Sequence, residues 1–488
     1  MSSESKKQER DFTPEVDALL PEVTELAKAG QLDQAIEKIL ALEKQTRNAS
    51  DLKSTTRLAE NLLTFTHEAR DYKKLSSNLI LLSKKHGQLK AVVQAVVELT
   101  MKWLEEIREK EGTETWLTII HALREVTEGK IFLETPRARV TLLLSHYHES
   151  IANAPNQTVA LRSESLQTAS DLLSELQVET YSSMERREKT EFLLEQMRLL
   201  VNVAKNKDEG AKKARESRVA GDDGGTAGLV DGEAEWVKVR VGGRKVNENF
   251  LKEKENEDLK LKYYDLMIQY SLHQSAYLEV AKHYYKIWET PSIKEDEATK
   301  GRQALEYIVY YILLAPYDNE QSDMLHHLFI DPALTKMELH YNLVKCFVTR
   351  ELMRWPGIEN IYGATLRATT VFGPAGEKQW EDLHTRVIEH NIRVIAHYYT
   401  RIRLSRLQTL LDLSTQQTEE TLSRLVTSGS IWARIDRPAG IVNFVQKRSA
   451  EDVMNEWSSD MNKLLGLVEK SWMGMNAAMA AQARVPKA

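Results

Sequence analysis

Cysteine is almost absent from the 488-residue chain: Cys346 stands alone, which excludes an internal disulfide and any covalent framework for the fold. It lies in the apolar run NLVKCFV, where a free thiol behaves as a small hydrophobe, and no basic cluster adjoins it to favour the reactive thiolate. Glycine (21) and proline (11) are also scarce, while Leu, Ala, Glu, Lys and Gln are abundant, a balance that favours helix throughout. A surplus of either charge is lacking too. Lys and Arg number 66 against 72 Asp and Glu, a net charge of −6, so no global field draws the chain to polyanions. No stretch approaches the ~18 uninterrupted apolar residues of a membrane span, and the polar start MSSESKKQERDFTPEV lacks the apolar core of a secretory signal. A soluble protein inside the cell is expected, without membrane attachment.

What the chain does have is helical periodicity over more length than one ordinary core holds. From 14 to 204, apolar residues recur at three- and four-residue steps, as in Ile36, Ile39, Leu40 and Leu42, in Leu58, Leu62, Leu63 and Phe65, and in Tyr72, Leu75, Leu79 and Leu82. Breaks at Gly30, Gly87, Gly112 and NAPN (153–156) suit helix ends. Helix pairs that cannot cover their own apolar faces stack, so an irregular α-solenoid of helical hairpins is predicted, preceded by a flexible terminus at 1–13. Turn signals and the lack of a sustained heptad argue against a long coiled coil.

Segment 205–249 differs in composition, with eight of the 21 glycines. It reads as a glycine-rich loop insertion, expected to be mobile because its apolar content is too low to offset the ordering entropy. No Gly-Lys-Ser/Thr follows its glycines, so a phosphate-binding loop is not indicated. Within it, EWVKVRV fits a short strand or a frayed helix entry. Helical repeats resume over 250–380. There Tyr263, Tyr264, Tyr270, Tyr277, Tyr284 and Tyr285 are spaced as packing residues and not as a platform for stacked bases, since the neighbouring charges are mixed.

The most specific local pattern lies in 381–446: a long helix, a short one in RLQTLLDLS, and a third after Ser414, whose spacing to Gln417 is that of a capping box. Leu422, Leu425 and Val426 give this third helix its inner face, and Gly429 closes it. SIWARID and GIVNFVQ, joined by RPAG, read as a small antiparallel β wing. Three helices and a wing can bind DNA through the third helix, but Glu419 and Glu420 occupy the end that would meet the bases, and Arg424 alone offers little compensation. A protein-protein role is expected, helped by the wing's edge strand. Ser449, with Asp452 three residues on, caps a long C-terminal helix over 449–485. Val453, Trp457, Met461, Leu464, Val468, Trp472, Met475 and Met479 form a single apolar stripe along it. The stripe docks either on its own domain or in a bundle with other subunits. Membrane binding is disfavoured because Asp460 and Glu469 offset Lys463 and Lys470.

A helical-repeat region leading into a winged helix and a terminal helix resembles the PCI architecture. Finer matches occur in ALEKQTRNASD (41–51), REVTEGKIFLE (124–134), LQVETYSSMERREKTEFLLEQMRLL (176–200), LKLKYYDLMIQ (259–269), LAPYDNEQSD (314–323), ELMRWP (351–356) and VIEHNIRVIAHYYTRIRLSRLQTLLDLS (387–414). Together they resemble the 26S proteasome non-ATPase regulatory subunit 12 family, with a PCI subunit of the COP9 signalosome or a winged-helix nucleic-acid protein as alternatives. The resemblance implies a non-catalytic scaffold of the regulatory lid, in cytoplasm and nucleus. Its implied partners are other PCI subunits, the deubiquitinase subunit, the ATPase ring and the core particle, with no nucleic acid. Candidate partner-binding residues are Trp457, Met461, Leu464, Val468 and Trp472 on the last helix, and Ile431, Ile435, Ile441 and Phe444 in the wing.

Because the lid contains a zinc-dependent deubiquitinase, His146 and His148 in SHYHES need testing as a His-x-His ligand pair. The residues that follow, SIANAPNQTVA, supply neither a matching serine nor an aspartate, so both read as structural. No His-Glu-x-x-His run or Gly-x-Ser-x-Gly elbow occurs either. No catalytic, metal-binding or cofactor-binding residue is expected.

Overall fold

The structure is a computed structural model that describes residues 11–155, 158–216, 232–296, 299–445 and 450–483. The chain folds as two units. One runs to Ser275 and takes in Lys286–Asp296, and the other holds Ala276–Tyr285 and the chain beyond Asp296. Helix dominates both.

The first unit opens with α1 (Thr13–Lys28), α2 (Leu32–Asn48), α3 (Leu52–Glu68) and α4 (Tyr72–Lys84). Their turns repeat one design: Gly30, Ser50 and Arg70 take the left-handed conformation (φ +81°, +57° and +55°). The next N–H then bonds back to the helix, Gln31 to the Leu26 carbonyl at 3.1 Å, Asp51 to Thr46 at 3.0 Å and Asp71 to Thr66 at 3.1 Å. Asp51 and Asp71 also start the following helices, their carboxylates accepting from the backbone N–H groups of Ser54 (3.3 Å) and Lys74 (3.1 Å). One residue thus closes one helix and opens the next. Asp51 also accepts from the Phe12 N–H at 3.0 Å, and the Phe12 ring is buried, so residues 12 and 13 belong to the fold and not to a flexible terminus. Residues 1–10 lie outside the described residues.

The array continues through α5 (Lys90–Glu111), α6 (Thr113–Thr127), α7 (Glu134–Ala152), α8 (Val159–Ser174) and α9 (Arg186–Glu216). It then passes to α10 (Glu233–Lys245), α11 (Glu248–Leu251) and α12 (Glu257–His273). Three apolar clusters follow one another in chain order. Leu58, Leu75, Val97 and Ile119 belong to the first, Ala169, Leu173 and Phe192 to the second, and Leu200, Trp236 and Tyr263 to the third. Each is built by neighbouring helices, as stacking of pairs requires.

Two parts of the glycine-rich segment are therefore not loop. Helix α9 runs on to Glu216, and α10 packs against α9 and α12. Its EWVKVRV is helical, with Trp236 and Val239 buried. Gly232, Gly242 and Gly243 serve close approach: a Cβ on Gly232 would stand 2.7 Å from the Ala204 carbonyl oxygen. Asp208 ties the start of α10 down, accepting from the Gly232 N–H at 3.0 Å and the Trp236 indole N–H at 2.8 Å. Residues 217–231 lie outside the described residues.

Helices α13 (Tyr277–Trp288) and α14 (Pro291–Glu295) follow, and the segment 250–380 that reads as one continuous repeat region is divided between the two units. The second unit contains α15 (Lys300–Leu314), α16 (Asn319–Ile330), α17 (Pro332–Thr335), α18 (Glu338–Val348), α19 (Trp355–Arg367) and α20 (Glu377–Tyr398). Asn391 of α20 clasps the extended strip before α19, accepting from the Met353 N–H at 2.8 Å and donating to its carbonyl at 2.7 Å. Beside it His390 is buried against the Glu351 carbonyl, and burial, reinforced by the Arg393 charge, pushes its pKa down to about 4.

Next come β1 (Arg401–Arg403), α21 (Leu404–Leu411), α22 (Thr415–Thr427), β2 (Arg434–Asp436), β3 (Ile441–Asn443) and α23 (Ala450–Ala483). The strands form an antiparallel sheet in the order β1-β3-β2, with Ile402, Val442 and Ile435 in register. The wing therefore has a third strand, the RIR of β1, beyond the two expected. Ile392, Leu407, Leu422 and Val442 join the core beneath. The Ser414–Gln417 capping box is present and Gly429 takes φ +74°.

Candidate interaction surfaces

The residues singled out for chemistry are occupied with structure. Tyr263, Tyr264, Tyr270 and Tyr277 are buried, and burial pushes Tyr263 and Tyr264 up to about 12. The Tyr263 hydroxyl donates to the Gly243 carbonyl at 3.2 Å, and Tyr284 stacks on Tyr307 and Tyr311. Cys346 is half-buried, and burial raises its pKa, which opposes the thiolate.

His146 and His148 do not act as a pair. His148 sits edge-on to Tyr147, and burial lowers its pKa. His146 instead meets Glu195 at 3.0 Å, and with Glu149 these donors lie within 4.8 Å of one another, a set that sequence reading missed because Glu195 comes from another helix. Arg198 fills that cluster. It forks onto Glu149 through two bonds of 2.6 Å and reaches Glu195 at 2.6 Å. Burial alone would raise Glu195, but its bonds from His146 and Arg198 and the guanidinium charge hold it at about 2. With Arg198 held by both carboxylates, the arrangement is an interhelical clasp between α7 and α9, and a metal would have to displace the guanidinium. The clasp borders a groove of about 720 Å³ that Leu142, Phe192, Leu259 and Leu266 help to line.

In the winged-helix module, charged side chains of α22 are engaged within the module. Glu419 holds Arg437 at 3.2 Å, and Arg424 is committed to buried Glu389 at 3.1 Å, which also binds Arg386 at 2.5 Å. Arg424 is thus engaged inside the module, and Arg437 is the cation that meets the acidic end of α22. Of the wing residues expected to meet a partner, Ile431 and Phe444 are buried in the module's own core, and Ile435 packs on that core half-buried. Strand alternation turns them inward. Ile441 is half-buried on the opposite face. Val426, expected inside, is exposed.

Helix α23 is another matter. Its 34 residues extend about 50 Å. Every apolar residue of the predicted stripe is exposed, Trp457 by 60% and Trp472 by 61%. So are Met454, Leu465, Leu467 and Met473 off the stripe. Ser449, its expected cap, lies outside the described residues. Isolated surface hydrophobics are ordinary, but a continuous apolar ridge of this length marks an interaction site. Among the described residues, no helix is long and apolar enough to cross a membrane.

Comparison with known proteins sets three family models along the chain. A family model described as PSMD12/CSN4, N-terminal, matches residues 34–296, and a PCI domain model matches 325–446. A third, for the 26S proteasome regulatory subunit RPN5 C-terminal domain, matches 451–471, within α23. It belongs to the RPN5 family of 26S proteasome regulatory subunits. The chain is 38% identical to 26S proteasome regulatory subunit RPN5 of Saccharomyces cerevisiae over 467 residues, covering 95% of this chain and 94% of the relative. It is 37% identical to regulatory subunit rpn501 of Schizosaccharomyces pombe, covering 90% and 89%, and 37% identical to non-ATPase regulatory subunit 12 of Dictyostelium discoideum, covering 96% and 95%. The N-terminal model spans proteasome and signalosome proteins alike. The terminal-helix model and these RPN5-family relatives favour the proteasome over the signalosome reading.

Proposed function

We propose that this chain is a non-catalytic scaffold of the proteasome regulatory lid, contributing to ubiquitin-dependent degradation through the geometry of its interfaces. The observation that carries the reading is α23, whose apolar ridge has no cover within the chain's described residues. Burying even half of such side chains stabilises by several kcal/mol, at ~1.5–3 kcal/mol for each one fully buried. Helices of other lid subunits are the proposed cover, with Trp457, Met461, Leu464, Val468 and Trp472 as contacts. The outer edges of β1 and β2 add a second interface, open to strand pairing with another PCI subunit. Proximity to the deubiquitinase subunit, the ATPase ring and the core particle belongs to the same proposal, as does residence in cytoplasm and nucleus. Any effect on deubiquitination is then indirect.

The test is a tagged chain carrying Trp457→Glu, Met461→Glu and Trp472→Glu. Recovery of ATPase-ring and core subunits by mass spectrometry is expected to fall by about tenfold or more, as expected when hot-spot aromatics are lost. Normal recovery would remove α23 from the assembly role, and recovery of cullins with the unaltered chain would point to the signalosome instead.

A further inference from the structure

The outer face of the three-stranded sheet forms a groove of about 970 Å³ with a chemistry unlike that of the strand edges. Alternation sends Ile402, Val442 and Ile435 into the core and leaves Arg401, Asn443 and Arg434 as one cross-strand row outside. Two guanidiniums therefore flank Asn443, and neither has a carboxylate partner among the described residues. The Asn443 side-chain oxygen also lacks a donor there. Trp432 and Val445, exposed by 37% and 55%, border the same groove. At the end of the groove Arg437 is paired with Glu419, and Arg386 and Arg424 of the same module are paired with Glu389. In a chain of net charge −6, an unpaired cationic row beside exposed apolar side chains is complementary to an acidic ligand.

We propose that this face receives an extended acidic segment of a neighbouring subunit, its carboxylates on Arg401 and Arg434 and an apolar side chain against Trp432 and Val445. The proposal rests on the assembly role above and adds the chemistry of one partner. Guanidinium forks suit carboxylates bidentately. A nucleic acid fits less well, because the unpaired row holds only two guanidiniums, too short a cationic track for a run of phosphates, whereas a short segment can set its carboxylates on that row and clear of Asp436.

The experiment uses the purified particle containing the full chain with p-benzoyl-phenylalanine in place of Trp432. Irradiation is expected to cross-link it to a segment of another subunit in which Asp and Glu cluster around an apolar residue. The double variant R401E/R434E should lower cross-link yield per incorporated chain by about tenfold or more, the effect of losing ~1.4 kcal/mol, and R401K/R434K should retain most of it. Failure of a folded R401E/R434E chain to incorporate, restored by R401K/R434K, supports the same conclusion. Cross-links to a segment without carboxylates, to nucleic acid or only to the chain itself overturn it, as does a yield indifferent to charge reversal. Co-purification of the chain with proteasome subunits is scored before irradiation, so failure of the assembly reading is seen separately.

Discussion

Helices α10 and α23 both carry tryptophan on an apolar stripe, yet Trp236 is 4% exposed while Trp457 and Trp472 are about 60% exposed. Composition ranks them the wrong way round, since α10 sits in the most glycine-rich stretch and α23 has the stronger amphipathic pattern. Amphipathicity states that a helix needs a cover. Whether the cover lies in the same chain depends on close approach, and the glycines of α10 supply it: Gly242 and Gly243 lie against Met197 and Met267, where larger residues would hold the helices apart.

The contrast can be broken most directly by truncating the covered tryptophan. Trp236→Ala removes a buried indole and the bond it donates to Asp208, and should cost the first unit about 3–5 kcal/mol in urea unfolding. A loss under ~1 kcal/mol would mean that α10 is only loosely seated. Gly232→Ala sharpens the point, because its new Cβ meets the Ala204 backbone carbonyl at 2.7 Å as well as the Asp208 carboxylate at 2.9 Å. About 1–3 kcal/mol of destabilisation by the same measurement is expected. At the bare end of the comparison, Trp457→Ala with Trp472→Ala should leave the isolated chain's unfolding midpoint within ~0.5 kcal/mol of its starting stability. A larger change would show that α23 is covered by its own chain in solution.

Much of the fold was legible because its signals are local. Periodic leucines gave the stacked helices, and Ser414 with Gln417 gave the start of α22. Harder to read were features set by partners distant in sequence. The RIR of β1 is too short to announce itself beside two helices and becomes a strand only by pairing with β3. Ile431 and Phe444 look like partner residues in a hairpin but face inward once the helices beneath are placed. The clasp of His146 and Glu149 with Glu195 and Arg198 needs side chains from two helices, and the histidine spacing pointed to His148 instead. One signal was present and went unread: Ala-x-Asp recurs at 49–51 and 69–71, each at a helix junction, with Ala29–Gln31 one period earlier.

Those junctions bear on how the first unit responds to load. Each turn is three residues long with its middle residue at positive φ, and at Asp51 and Asp71 both flanking helices are capped within it, which leaves little slack at which the chain can swing. Strain imposed on α1 to α4 is therefore expected to be taken up as slight tilts between neighbouring helices, and not by hinging at these turns.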